Sequence, residues 1–434
     1  MSGRSTDREE KTPMATDRFG NALAAGLPYA RGTILRSTED DFTKLRQAWQ
    51  IIRTRIQKDG ADSVFNFTGL ERGLRIDPSD VPFLDDEIAP ALFGERLTEL
   101  ALEHLGGRAD RHDVMVFNRL SAATLTAQMV MVPRGGTVIG VSVGYSHPSV
   151  TRAAAHLGAR FVDTVGLKAF AEALEREPRV DLVVLTRLAV TYEALPIDEI
   201  REIVALARAR KVPIYADDAG GARVGPAVLG QPKMLDLGVN VGATGLDKYG
   251  TVGPRVGVLA GDKDLVARMR ARAFEFGLEA RPMLYPAVLK SLEQYRPERV
   301  RSLVECTKEV AVALRRRLGD RLRETPVTAQ LLGEDTLELA RERAGLAETS
   351  LVPFEASATL AMLLLRDHGI VSVHFAGMPP GTSAMLFKFV PPETLQRFGG
   401  AAAFAEAVDG SLSNVAALMG DREKVRALLL GSDR

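Results

Sequence analysis

Apolar positions along the chain fall into two rhythms. Over 40–58, Phe42, Leu45, Trp49, Ile52 and Ile56 recur at helical spacing, and 89–105 is a second helix stopped by Gly106-Gly107. Between them, 65–73 reads as a strand running into a loop. From Val114 onward, short and continuously apolar runs alternate with amphipathic stretches. Strands are predicted over 114–117, 137–141, 160–162 and 182–186, two more end near Asp217 and Lys248, and another covers 256–260. Helices are predicted over 121–131, 148–157, 167–175, 196–209 and 262–276. Continuously apolar strands between amphipathic helices mean a mostly parallel sheet covered on both faces, an α/β domain.

Beyond it, 284–318 is one long helical stretch, broken or bent near Pro297. The rhythm then changes. Segments 323–330, 336–339, 350–354, 358–365, 372–374 and 386–389 alternate more like antiparallel strands, and 398–419 closes with helices. The expected organisation is a disordered arm over 1–30, an N-terminal helical and loop segment over 31–85, a large domain over 86–285 and a smaller α+β domain over 286–434.

The chemistry concentrates at the carboxyl ends of two predicted strands, where open α/β sheets bind their ligands. One strand ends Tyr215-Ala-Asp217-Asp218 and is followed by Gly220-Gly221; the next ends Thr244-Gly-Leu-Asp247-Lys248 and is followed by Gly250 and Gly253-Pro254-Arg255. A carboxylate and an amine presented to one crevice suit pyridoxal phosphate. That cofactor takes a lysine for its Schiff base and an acid that keeps its ring nitrogen protonated. Lys248 is the lysine. Asp217 is preferred over Asp218 for the ring because successive strand residues face opposite sides; Asp218 is read as a turn carboxylate capping Gly220-Gly221. For the phosphate, Asn118, Arg119, Ser121 and Ala122 follow a strand and open a helix, with Thr244 and Arg255 as further contacts. His147, at a strand-to-helix turn, is placed to stack on the cofactor ring, with Tyr145 as the alternative. Thr186 is placed to reach its phenolic oxygen.

Composition excludes more than it identifies. The 56 basic and 56 acidic residues cancel, so no global field argues for nucleic acid. The single cysteine, Cys306, rules out an internal disulfide framework and suits a reducing cytoplasm. No apolar run reaches the ~20 residues of a membrane span. No dinucleotide or Walker fingerprint, metal-ligand spacing or nucleophile elbow occurs.

The stretch from Tyr215-Ala-Asp217-Asp218-Ala-Gly220-Gly221-Ala-Arg223 through Asp247-Lys248, Gly253-Pro254-Arg255-Val-Gly257 and Leu259-Ala-Gly261 resembles fold-type I pyridoxal phosphate enzymes. Within them it is most similar to the selenocysteine-synthase-like group, notably its archaeal members. The resemblance implies a seven-stranded large domain, a C-terminal small domain, a homodimer or larger with sites at the subunit interface, and 65–73 near a site, that of its own chain or of the partner subunit. It leans toward β-elimination or β-replacement on an amino acid or amine. Aminotransferase and Cα–Cβ cleaving aldolase chemistry are the alternatives within the class, and a non-catalytic scaffold is the alternative outside it. Many aminotransferases of the superfamily hold the substrate carboxylate with a small-domain arginine; here the corresponding strand offers Lys388, and Arg366 is the other candidate.

Overall fold

The computed structural model describes residues 15–431. Strand β1 (Phe65–Asn66) is a two-residue strand near the N-terminus. The central sheet uses β2 (His112–Phe117), β3 (Thr137–Ser142), β4 (Arg160–Val165), β5 (Leu182–Leu185), β6 (Ile214–Asp217), β7 (Val241–Gly245) and β8 (Gly257–Asp262). Its order is β2-β8-β7-β6-β5-β3-β4, with every neighbouring pair parallel except the two made by β8. The antiparallel turn of β8 has a simple cause. A parallel return needs a crossover of a dozen or more residues, usually a helix, and no helix lies between Gly245 and Gly257. That connection is instead the turn that carries Lys248.

Both faces of the sheet are buried. Ile139, Val183 and Ile214 pack into one apolar cluster; Val138, Val184 and Tyr215 pack into another on the opposite face. The period-two alternation sends neighbouring residues to opposite sides, so each strand reads apolar throughout, as the sequence shows.

The smaller domain departs from expectation. It holds one three-stranded antiparallel sheet of β9 (Leu322–Glu324), β10 (Thr328–Leu331) and β12 (Met385–Lys388), while β11 (Ile370–Val371) pairs with β1 in parallel. Segments 336–339 and 358–365, expected as strands, lie in the helices Gly333–Ala344 and Pro353–His368, and 350–354 is a loop entering the second of these. Segment 372–374 passes from β11 into a short turn of helix. The misreading of 358–365 has a physical origin. Every residue of the helix from Pro353 to Leu365 is buried, so no polar face marks a 3.6-residue period.

Residues 15–30, placed with the expected disordered arm, pack on this domain, and 1–14 lie outside the described residues. Tyr29 is buried, its ring stacks on Phe354 at 4.4 Å, and its hydroxyl donates to Pro380 O at 2.9 Å. Helix Thr38–Asp59 has Asp41, Lys44 and Ala48 on its buried face and packs on Pro353–His368 and Arg422–Leu430. The smaller domain is thus closed by segments 15–59 and 422–430. No helix among the described residues is long and apolar enough to cross a membrane.

Candidate active site

A cavity of about 230 Å³ opens between the carboxyl ends of the central strands and the smaller domain. Asp217 is the last residue of β6, and Lys248 stands three residues past the end of the adjacent β7. Both line the cavity. The backbone after the lysine turns sharply, with Tyr249 and Gly250 both at positive φ (45° and 91°), conformations that only glycine adopts without strain.

Asp217 is 3 % exposed, and among the described residues nothing donates a hydrogen bond to its carboxylate. Burial pushes its pKa up to about 6; Lys248 pulls it down, and Asp218 raises it further. Burial in turn lowers the amine of Lys248 below its usual range, against the pull of Asp247 and Asp217. Asp218 does not cap the glycine turn as expected. It forms a fully buried pair with Arg187, whose Nε reaches Oδ1 at 3.1 Å and whose Nη2 bonds Oδ2.

The opposite end of the cavity is cationic. Arg119 is the N-cap of helix Leu120–Met131, whose first turn no side chain caps. First-turn amides and the helix dipole there form an anion site. Gly257 of β8 makes the approach possible: a Cβ there would lie 2.8 Å from Leu120 Cα and 2.9 Å from its nitrogen. Arg255 stands close enough to Arg72 and Arg119 that burial and these two charges lower its pKa to about 10. Arg72 and Arg255 both donate to Ala376 O, at 3.1 and 2.7 Å, fixing the small-domain loop over the cavity. Three guanidinium groups with one carboxylate among them, Asp247 bonded to Arg72 Nε at 2.8 Å, make a strong site for a phosphate dianion.

The remaining expected residues divide. Arg119, Ser121, His147, Thr186 and Arg255 line the cavity with Lys248 and Asp217. The hydroxyl of Thr186 is buried without a hydrogen-bond partner, an unusual cost unless a ligand meets it. His147 accepts the Ser149 amide at Nδ1 (3.1 Å), which leaves its proton on Nε2. Burial, with Lys248 and Arg152 nearby, pushes this imidazole down to about 3, so it is neutral. Three residues lie elsewhere. Asn118 is exposed and donates to Gly277 O at 3.4 Å. Ala122 packs in the apolar cluster under the helix. The Thr244 hydroxyl is fully buried between Ala219 O (3.1 Å) and Arg223 Nη1 (3.2 Å).

Of the two substrate-carboxylate candidates, Arg366 ends a helix and pairs with its neighbour Asp367 at 2.6 Å, outside the cavity. Lys388 is buried in the cavity wall. Its Nζ donates to Tyr249 Oη at 3.1 Å, and Tyr249 shares a 2.7 Å hydroxyl contact with Tyr192. Burial, then the like charge of Lys248, lowers Lys388 well below its usual range.

Sequence reading missed Arg72, Arg152, Tyr192 and the loop 376–382. The segment 65–73 was expected near a site; it brings Leu70 and Arg72 to the cavity of its own chain. Tyr249, adjacent to Lys248, was within reach of the motif. Arg152 was visible only as one more helix charge.

Asp217→Asn tests the burial of this carboxylate. The folded-state pKa is raised from 3.8 to about 6, so ionising the group costs stability once pH passes that range. The cost is absent near pH 4 and complete by pH 8, at about 3 kcal/mol for a shift of this size. Cofactor-free Asp217→Asn should therefore be more resistant to urea than the parent at pH 8 and equal to it at pH 4. Equal midpoints at both pH values would contradict the buried, unpartnered carboxylate.

The sheet order, the lysine turn and the cationic helix start define the fold of type I pyridoxal phosphate enzymes. Solved structures share it: pyridoxamine-pyruvate aminotransferase from Mesorhizobium loti has a TM-score of 0.56 at 14% identity, covering 87% of this chain and 99% of that one. Serine palmitoyltransferase from Sphingomonas wittichii has a TM-score of 0.55 at 16% identity, covering 82% and 88%. The particular family follows from sequence. The chain is 30% identical over 403 residues to a UPF0425 pyridoxal phosphate-dependent protein of Methanothermobacter thermautotrophicus, covering 92% of this chain and all of that one, and it belongs to that family. A relative from Methanosphaera stadtmanae is 26% identical over 359 residues, covering 82% of this chain and 90% of its own. No protein-family model matches the chain.

Proposed function

We propose that the chain is a pyridoxal phosphate-dependent enzyme acting at the α-carbon of an amino acid or amine, with β-elimination or β-replacement as its reaction. The observation that carries this reading is the pairing of Lys248 with Asp217, an unpaired amine and an unpartnered carboxylate facing one cavity from adjacent strands.

Arg119, Arg255 and the first-turn amides of helix Leu120–Met131 would hold the phosphate, Lys248 would hold the aldehyde carbon until the substrate amine replaces it, and Asp217 would serve the ring nitrogen. When bound, the cofactor supplies an electron sink for the pair left on the α-carbon. Asp217, as an anion, would keep the proton on the ring nitrogen of the bound cofactor. Lys248, its amine kept neutral more readily by burial, accepts the α-proton. His147 is neutral with its proton on Nε2 and has a flat face available to the ring. Elimination also needs an acid, because the group leaving Cβ departs with its bonding pair and takes up a proton. Lys388 Nζ donates to the Tyr192–Tyr249 hydroxyl pair that lines the same cavity, and this reading takes that relay as the proton source; that provision favours β-chemistry over transamination.

Protein reconstituted with the cofactor should, after borohydride, carry a phosphopyridoxyl adduct that peptide mapping places on Lys248. With L-serine or O-acetyl-L-serine it should release ammonia and pyruvate. Adduct elsewhere or nowhere overturns the reading; an adduct on Lys248 with amino-group transfer to pyruvate overturns only the reaction.

A further inference from the structure

The cavity holds more positive charge than the cofactor uses. Six cations line it, Arg72, Arg119, Arg152, Lys248, Arg255 and Lys388, against two carboxylates, Asp217 and Asp247. Asp247 is paired with Arg72. Arg119 and Arg255 stand at the helix start that suits a phosphate, and Lys248 is committed to the aldehyde. Arg152 and Lys388 remain, and neither lies within 4 Å of a carboxylate among the described residues.

These two sit on different walls. Arg152 is on helix Pro148–His156, its Nε tied to Pro148 O at 2.8 Å, and its charge is felt by His147 and Tyr29. Lys388 is on β12 of the smaller domain, in a cage of Tyr192 and Tyr249 with its Nζ 4.9 and 5.0 Å from the two ring centres. Its charge neighbours are Lys248, Asp247 and Arg72, and Arg152 is not among them. A substrate with one carboxylate satisfies one wall and leaves the other side chain facing the cavity without an anion; Arg152 meets solvent there, whereas Lys388 is buried. Burying an uncompensated charge is costly. An anion beside Lys388 also favours the ammonium form that burial disfavours.

Resting on the reading above, we infer that the substrate carries two anionic groups: it is an amino acid whose side chain is itself acidic, with one anion held by Arg152 and the other by Lys388. The side-chain group is a phosphate ester or a sulfonate, which can itself leave Cβ as phosphate or sulfite, or a carboxylate on a side chain that carries a separate leaving group on Cβ; a caged ammonium and a guanidinium accept all three.

The test is a titration of cofactor-reconstituted protein, following the cofactor's visible band and, in parallel, the heat of binding. Acidic ligands are L-aspartate, L-glutamate, L-cysteate and O-phospho-L-serine; the matched neutral ligands are L-asparagine, L-glutamine and L-serine. At least one acidic ligand should bind ten-fold or more tightly than its neutral match, and which acid wins distinguishes the three chemistries. Of Lys388→Met and Arg152→Gln, the one that removes the side-chain anion's partner should reduce that preference to less than three-fold with the neutral ligand's dissociation constant little changed, and the other should weaken acidic and neutral ligands together. Equal binding of acidic and neutral ligands, no binding by any acidic ligand, or a preference surviving in both variants overturns the inference. Borohydride mapping of the same samples separates the failures. An adduct on Lys248 without acidic preference overturns the substrate class alone; no adduct on Lys248 overturns the cofactor reading and this inference with it.

Discussion

Lys248→Ala is expected to fold at least as well as the parent and to lose its chemistry. Removing the general base alone costs about 10²–10⁴-fold in rate, and the covalent anchor goes with it, so borohydride should leave no adduct at this position. Stability moves the other way. Burial lowers the pKa of Lys248 from its ordinary 10.5, so the folded chain binds that proton less readily than the unfolded one. The group therefore costs stability in full below the folded pKa, and the cost fades as pH rises from that value to the unfolded 10.5, the sign opposite to an ion-paired lysine. Alanine removes the cost and leaves no sealed void, because the side chain already borders open space. Urea midpoints at pH 7 should be equal or higher in the variant. A lysine retained for structure would show the reverse, a fall in stability with the lost contact. A stable variant with an intact reducible adduct would remove Lys248 from the chemistry.

Secondary effects of the same substitution check the electrostatics. Lys248 is the strongest attractive charge on Asp217 and depresses His147 after burial. In Lys248→Ala the Asp217 carboxyl should titrate higher than about 6 and the His147 imidazole higher than about 3, both measurable by carbon-13 NMR of the cofactor-free protein.

Much of this site was legible because a parallel sheet gives its chemistry away. Strands buried on both faces read as apolar runs, and the polar residue that breaks each run marks the strand end where ligands bind. Asp217 and Lys248 stand at such breaks, and so does Thr186. The residues that reading missed lie where no periodic signal exists. Arg72 reaches the cavity from a loop after a two-residue strand, joined to Gly253 by an isolated bridge. The loop 376–382 is fixed by its carbonyls: Ala376 O accepts from Arg72 and Arg255, Pro380 O from Tyr29, Gly381 O from Tyr145. Carbonyl acceptors leave no trace in residue identity. Thr244 and Ala122 were drawn in by proximity in sequence, but strand alternation turns Thr244 toward Arg223 and helix phase turns Ala122 into the core.

The pair behind the site sets the other large effect. Arg187 and Asp218 are each 1 % exposed and bonded through two atoms, and Arg187 Nη1 also donates to Pro232 O at 2.6 Å. Asp218 is next to Asp217 in sequence, so Arg187 keeps a second negative charge from standing uncompensated behind Asp217. Arg187→Met leaves Asp218 as a buried, unpaired anion, and breaking such a pair from one side costs about 3–5 kcal/mol. That loss should appear as a lower urea midpoint at pH 7. Arg187→Met with Asp218→Asn removes both charges at nearly constant volume and should recover most of the loss, since the penalty belongs to the isolated charge more than to the pair's attraction. The single variant should also raise the Asp217 pKa above about 6, because Asp218 already raises it and would do so more strongly without its guanidinium. If the double variant is as unstable as Arg187→Met alone, the loss comes from missing arginine packing and its Pro232 bond, and charge compensation is not what Arg187 provides.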